Sequence, residues 1–232
     1  MNQTISLSIP AQQTINSYFK MEVGNKTIAC PYFINRIQTK AGLRVFLGKG
    51  TAKEIIEEVE LIAQRENIDI KKISKKELYE LLTKHHLGID CSALAVYILK
   101  SEYKEKKQIN IIPRIHIVFF WKNPFRYLIS LLRPIENISV KVLANNKNSQ
   151  EIKELNKILP GDMVIRNNSR HILLVSSVEI KNNVVQNITL IHAPRPTKIG
   201  YSGPGVQEIK ISLEDLRKEI KKEKTVIRRL KF

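Results

Sequence analysis

The chain has 232 residues, with 39 Lys and Arg against 22 Asp and Glu, giving a formal net charge of +17. A composition of 43% hydrophobic and 26% charged residues is that of a globular protein able to bury a sizeable core, and no repeat or low-complexity tract argues otherwise. Two cysteines exclude a disulfide framework, and the charge points to polyanionic partners (nucleic acid, anionic lipid surfaces, teichoic-acid-like polymers) without choosing among them.

The sequence is rich in Ile, Asn and Lys, so genome base composition accounts for part of that charge equally well. Residues 1–23 lack the basic start and continuous apolar run of a signal peptide, since Met1-Asn2-Gln3-Thr4 is polar and Pro10 interrupts. A cytoplasmic location, or release without a standard signal peptide, is therefore expected. Pro10 fits the first turn of a helix running to about Met21, and Asn25-Lys26 turns into Thr27–Cys30, where Cys30 reads as a core thiol. Thr51-Ala52-Lys53-Glu54 is a capping box opening a helix with Ile55, Ile56, Val59, Leu61 and Ile62 on one face. Ser74-Lys75-Lys76-Glu77 is a second, starting a helix through Leu78, Leu81 and Leu82 to Leu87.

Gly88 is placed to end that helix and Asp90 to N-cap the next. Cys91 then stands in the first turn, near unpaired backbone N–H groups and the positive end of the helix dipole. That setting lowers a thiol pKa below its reference of about 8.5 and makes it a nucleophile. A buried thiol packed as a small hydrophobe is the competing reading. The run Ala93–Leu99 predicts burial along most of the helix, with fraying in the charged stretch Glu102–Lys107.

Residues 104–150 carry nine Lys and Arg against two Glu, with Phe119, Phe120, Trp121, Phe125 and Tyr127 clustered. Such interleaving can form a stacking groove for single-stranded nucleic acid, although burial of the aromatics is the commoner outcome. The apolar run Ile115–Leu132 holds Lys122, Asn123, Pro124 and Arg126, which excludes a simple membrane-spanning helix; His116 within it reads as packing. Strands are predicted over about 162–167, 171–180, 184–192 and 205–211, with turns at Asn167–Arg170 and near Lys181-Asn182-Asn183. Ser212 caps a last helix, and Thr225–Phe232 is a final strand or a tail. Helices followed by antiparallel strands is an α+β order.

His171 heads one apolar strand and His192 ends the next, so the two can converge with Cys91 as base, orienting group and nucleophile. An edge or strand-end histidine satisfied by its surroundings is the competing reading for each. His85 and His86 do not make a metal site with Cys91: on a helix they point about 100° apart, and no CxxC or HExxH spacing is present. No metal and no cofactor is expected.

Asp90-Cys91-Ser92, Gly161-Asp162, a histidine opening a strand, and Ile191-His192-Ala193 occur in one order that resembles the NlpC-type cysteine peptidases of the papain-like superfamily. The resemblance covers about residues 74–211. It implies a papain-like fold, with the nucleophile at the N-terminus of a buried helix packed on an antiparallel sheet that carries the base. It implies cleavage of γ-D-glutamyl-diamino-acid bonds in bacterial cell-wall peptides, a peptidoglycan-derived peptide being the partner. Cys91 then corresponds to the nucleophile, His171 to the base and His192 to the third polar residue. Asp90 and Ser92 match positions that bind the substrate amino group, and Tyr79 corresponds to a tyrosine near the site. On this basis residues 71–232 form the catalytic domain, with an insertion at about 104–150, and residues 1–70 an N-terminal extension of short strands and helices. The chain departs from the family in having Ala93 where glycine is usual, and in placing His171 80 positions after Cys91. A wall substrate outside the membrane conflicts with the absence of a signal peptide; lysis, a dedicated secretion route or an intracellular peptide substrate would each reconcile them. Two alternatives remain open: a thiol acyltransferase or amidase on the same fold, and a non-enzymatic basic module binding nucleic acid or another polyanion.

Overall fold

The computed structural model describes residues 2–34, 43–117, 132–194, 205–223 and 225–232. Within them the chain runs β1 (Asn2–Ser6), α1 (Ile9–Phe19), β2 (Met21–Val23), β3 (Lys26–Ile28), α2 (Ala52–Arg65), α3 (Lys75–Lys84) and α4 (Cys91–Lys107). Two short helices follow, α5 (Pro134–Asn137) and α6 (Val140–Leu143), then β4 (Ser149–Glu151), β5 (Met163–Arg166), β6 (His171–Lys181), β7 (Val184–His192), β8 (Gln207–Ser212), α7 (Leu213–Glu223) and β9 (Val226–Leu230). The class is mixed α+β with an antiparallel sheet.

Local chemistry sets the helix starts. Thr51 and Ser74 each accept from the N3 backbone while Glu54 and Glu77 reach back to the cap, so both capping boxes form. Asp90 caps α4 by accepting from Ala93 N, and every residue from Cys91 to Leu99 is buried. The expected fraying of α4 does not occur. Glu102 and Tyr103 are buried within it: Glu102 accepts from Ser8 N at 2.7 Å and Tyr103 donates to the Leu230 carbonyl at 3.3 Å, so tertiary contacts hold the charged last turns. Nor does Gly88 supply the left-handed residue that ends α3; His86 does, at φ 60°. Gly88 is required for a different reason, because a Cβ there would lie 2.5 Å from the Pro31 carbonyl oxygen.

The sheet has seven strands in the order β4-β9-β5-β6-β7-β8, with β1 pairing along the second half of β6, where Asn2 faces Lys181 and Ser6 faces Ser177. Thr225–Phe232 is therefore not a tail: β9 is an interior strand between β4 and β5. It is fastened by Arg229, which donates to both oxygens of the buried Asp162 carboxylate at 2.6 and 2.8 Å. The β6–β7 hairpin turns at Asn182 and Asn183, both at positive φ, as the sequence predicts.

Strand alternation divides the sheet between two cores. Met163, Ile165, Ile172, Leu174 and Ile191 face the core that contains α4. Val164, Leu173, Val175, Leu190 and Ile227 face a second core closed by Leu213 and Leu216 of α7. Leu7, Ala11, Ile15, Tyr18, Ile55 and Val59 belong to the α4 core, so the elements from β1 to α2 are packed into the same body as the helix that bears Cys91. The described parts of segment 104–150 join it through Ile111, Ile112, Ile115, Ile135, Ile138, Val140 and Leu143. Phe119, Phe120, Trp121, Phe125 and Tyr127 lie outside the described residues. Among those residues, no helix is long and apolar enough to cross a membrane.

Candidate active site

The mouth of α4 is built around a buried ion pair that the sequence reading missed. Lys49, 6% exposed, places its ammonium 2.7 Å from Asp90 Oδ2. It also donates to Ser92 Oγ and to the Ile138 carbonyl, each at 2.8 Å. Asp90 Oδ1 in turn accepts from Ala93 N at 2.6 Å and Ser92 Oγ at 2.8 Å. Asp90 and Ser92 are thus turned inward and engaged by Lys49, rather than presented to the amino group of a substrate as the family match implies. The one sequence signal for Lys49 is its position between Gly48 and Gly50, just ahead of the Thr51 capping box, and that spacing does not disclose a buried ammonium.

Cys91, the first helical residue, is a free thiol and 6% exposed. Its sulfur lies against the backbone N–H of Ile172, the residue after His171. The expected lowering of its pKa is reversed: burial pushes the thiol up to about 12, and the neighbouring Asp90 carboxylate adds to the rise. The Ile172 N–H, the Lys49 ammonium and the cysteine's own N–H pull the other way without prevailing. Helix-terminus stabilisation is a partial-charge effect, whereas taking a thiolate out of water opposes its whole charge.

His171 and His192 are brought together as the sequence predicts, with His171 Nε2 3.1 Å from His192 Nδ1 and the rings edge-to-face at 69°. Both are held neutral. Burial brings His171 down to about 4, with the Arg166 guanidinium assisting; for His192 burial again leads to about 4, followed by His171 and Arg166. Arg166 faces His171 across β5 and β6 and is anchored by an ion pair to Glu219 of α7. By alternation the two imidazoles start from the α7 face of the sheet and Cys91 from the α4 face, meeting at the first residues of β6. Among the described residues, no hydrogen bond joins the thiol to either ring.

The other candidate residues lie elsewhere. Tyr79 is half-buried on α3, where burial first and then the nearby Cys30 raise its hydroxyl to about 12; its sulfur neighbour is Cys30, not Cys91. Cys30 is free and fully buried, and burial raises its pKa. His85 pairs with Glu66 at 2.8 Å, His86 stacks on Phe33 at 5.2 Å, and His116 Nε2 lies 3.4 Å from Lys147 Nζ. Among the described residues, no three His, Cys, Asp or Glu side chains are grouped to hold a metal ion. Comparisons with protein-family models, curated proteins and solved structures gave no match to this chain.

The histidine pair makes stability pH-dependent. Both groups titrate near 4 when folded, against about 6.5 unfolded. Between those values the unfolded chain binds more protons, so acid favours unfolding. The contribution is fully present above about pH 6.5 and is lost as the pH falls toward the folded value. The urea midpoint is expected to drop over this window, and His171→Gln/His192→Gln to flatten the drop; a variant as acid-sensitive as wild type would contradict this.

Proposed function

We propose that the protein is a papain-like cysteine hydrolase that cleaves an amide bond in bacterial cell-wall-type peptides, with Cys91 as nucleophile, His171 as base and His192 orienting the base. The observation that carries this reading is the junction at the start of β6, where a helix-capped thiol abuts Ile172 N–H one residue from an imidazole hydrogen-bonded to a second imidazole. With the thiol raised and the imidazole lowered, the resting pair is neutral Cys and neutral His. Attack is therefore concerted: the sulfur bonds to the carbonyl carbon as its proton passes to His171, which the neutral ring is ready to accept. The ring must swing over the end of β6 to do so. Catalytic hydrogen bonds often tighten only once substrate is bound.

Asp90 already holds Ala93 N–H, which leaves the Cys91 and Ser92 N–H groups at the helix mouth for the oxyanion. The C–N bond then breaks as His171 returns the proton to the leaving amine. Water deprotonated by the same ring attacks the thioester, releasing the carboxylic acid and regenerating the thiol. The test is a panel of wall-type peptides incubated in H₂¹⁸O, with products identified by mass spectrometry. Cleavage at one amide with ¹⁸O in the new carboxyl is expected. Transfer of the acyl group to an added amine would make the protein an acyltransferase. No cleavage, with polyanion binding that weakens steeply as salt rises, would replace the proposal with the basic binding module.

A further inference from the structure

We propose that Lys49 is a positioning residue for the Cys91 thiol, its ammonium neutralising the carboxylate beside the sulfur and fixing the helix mouth against the chain on either side of it. The proposal rests on the reading of Cys91 as the reactive group. Three features of the geometry support it. The ammonium has three short contacts from three places in the chain: Asp90 at the cap, Ser92 beside the thiol, and the Ile138 carbonyl in the α5–α6 turn. Its own backbone is held as well, because Tyr97 of α4 donates to the Lys49 carbonyl at 2.6 Å and Lys49 bridges Ile89. And the residue it neutralises adjoins Cys91 in sequence, so an unmatched Asp90 charge acts directly on the sulfur.

The remaining ionisable groups around this cluster do not duplicate that role. On the α5 side, Glu136 is paired with Arg133 at 3.5 Å and faces Arg44 and Lys49, burial holding its carboxyl above the usual range. Arg44 is bound to Glu54 at 2.7 Å. Tyr97 is kept protonated by burial. On β6 and β5, His171 is held neutral and Arg166 is bound to Glu219. Asp90 therefore has Lys49 as its ionic partner among the described residues, and loss of that amine exposes the thiol to an uncompensated negative charge.

The experiment reads the rate of iodoacetamide alkylation at Cys91 against pH, by peptide mass spectrometry of the folded full-length chain. Lys49→Met is expected to slow alkylation at pH 8 at least roughly tenfold, the equivalent of one pKa unit. Lys49→Arg should recover part of the loss, and Lys49→Met/Asp90→Asn should react at the wild-type rate or faster, Asn being able to keep the helix cap. A folded Lys49→Met with the wild-type profile, or a double variant as slow as Lys49→Met, would overturn the proposal. If Lys49→Met does not fold, the double variant decides alone: wild-type reactivity supports the assignment and slow reaction rejects it. The readout needs no substrate. Failure to cleave peptides would therefore count against the hydrolase reading while leaving the Lys49 dependence of the thiol measurable.

Discussion

His171→Ala is expected to lower the turnover of a cleaved wall-type peptide by about 10²–10⁴-fold, the range that positioned acid–base groups contribute. The loss should fall on kcat and kcat/KM together, because the imidazole acts on a proton that moves only as the transition state forms. On the proposed reading the demand on that base is high. The Cys91 thiol is raised to about 12 by burial and by Asp90, so almost none of it is thiolate at neutral pH. Without His171 the ring next to Ile172, whose N–H lies by the sulfur, is gone, and His192 sits one strand further away at the end of β7. His192→Ala should have a smaller effect than His171→Ala, because it removes the partner that fixes the ring and leaves the base itself. Steady-state kinetics on both variants, with circular dichroism to confirm folding, measure the difference; equal turnover in His171→Ala and wild type would remove the base assignment.

Asp90→Ala is expected to destabilise the fold by about 3–5 kcal/mol, the usual result of stranding one member of a buried ion pair. Lys49, 6% exposed, would keep its charge with only Ser92 Oγ and the Ile138 carbonyl to solvate it. The N-cap of a 17-residue helix would be lost at the same time. For a chain of this size the effect corresponds to a fall of roughly 6–20 °C in melting temperature. Asp90→Asn should recover only the cap's share, about 1 kcal/mol, because the amide oxygen still caps the helix while the Lys49 ammonium is left without a charged partner. Thermal unfolding of the two variants side by side separates loss of the pair from loss of the cap. A melting temperature for Asp90→Ala within about 2 °C of wild type, the shift of less than one kcal/mol, would show that the pair contributes little.

The parts of the fold that could be read from the sequence are those fixed by neighbours along the chain. The two capping boxes, the Asp90 cap, the apolar run behind Cys91 and the Asn182-Asn183 hairpin are local signals, and each appears where the residues place it. The pairing of His171 with His192 follows from that hairpin, because its register brings the start of one strand beside the end of the next. Contacts made across the fold were not legible. Lys49 reaches residues 41, 43 and 89 positions away, and an exposed lysine would look the same in sequence. The run Asn2–Ser6 is too short and polar to announce a strand, yet it completes an edge of the sheet. Glu102 looked like the start of a frayed end and is held by Ser8 from the other end of the chain. The Cys91 shift runs opposite to the sequence expectation for the same reason: the helix terminus is visible in the sequence, but the depth of the thiol is not.

The proposed hydrolysis passes through a covalent intermediate at Cys91, and the most direct measurement is the mass of the protein quenched in acid during turnover of a cleaved peptide. The expected result is a species heavier than the free protein by the acyl part of that peptide, mapped by digestion to the fragment containing Cys91 and absent from Cys91→Ala. Cleavage by Cys91→Ala at the wild-type rate, with no adduct on the wild-type chain, would contradict it.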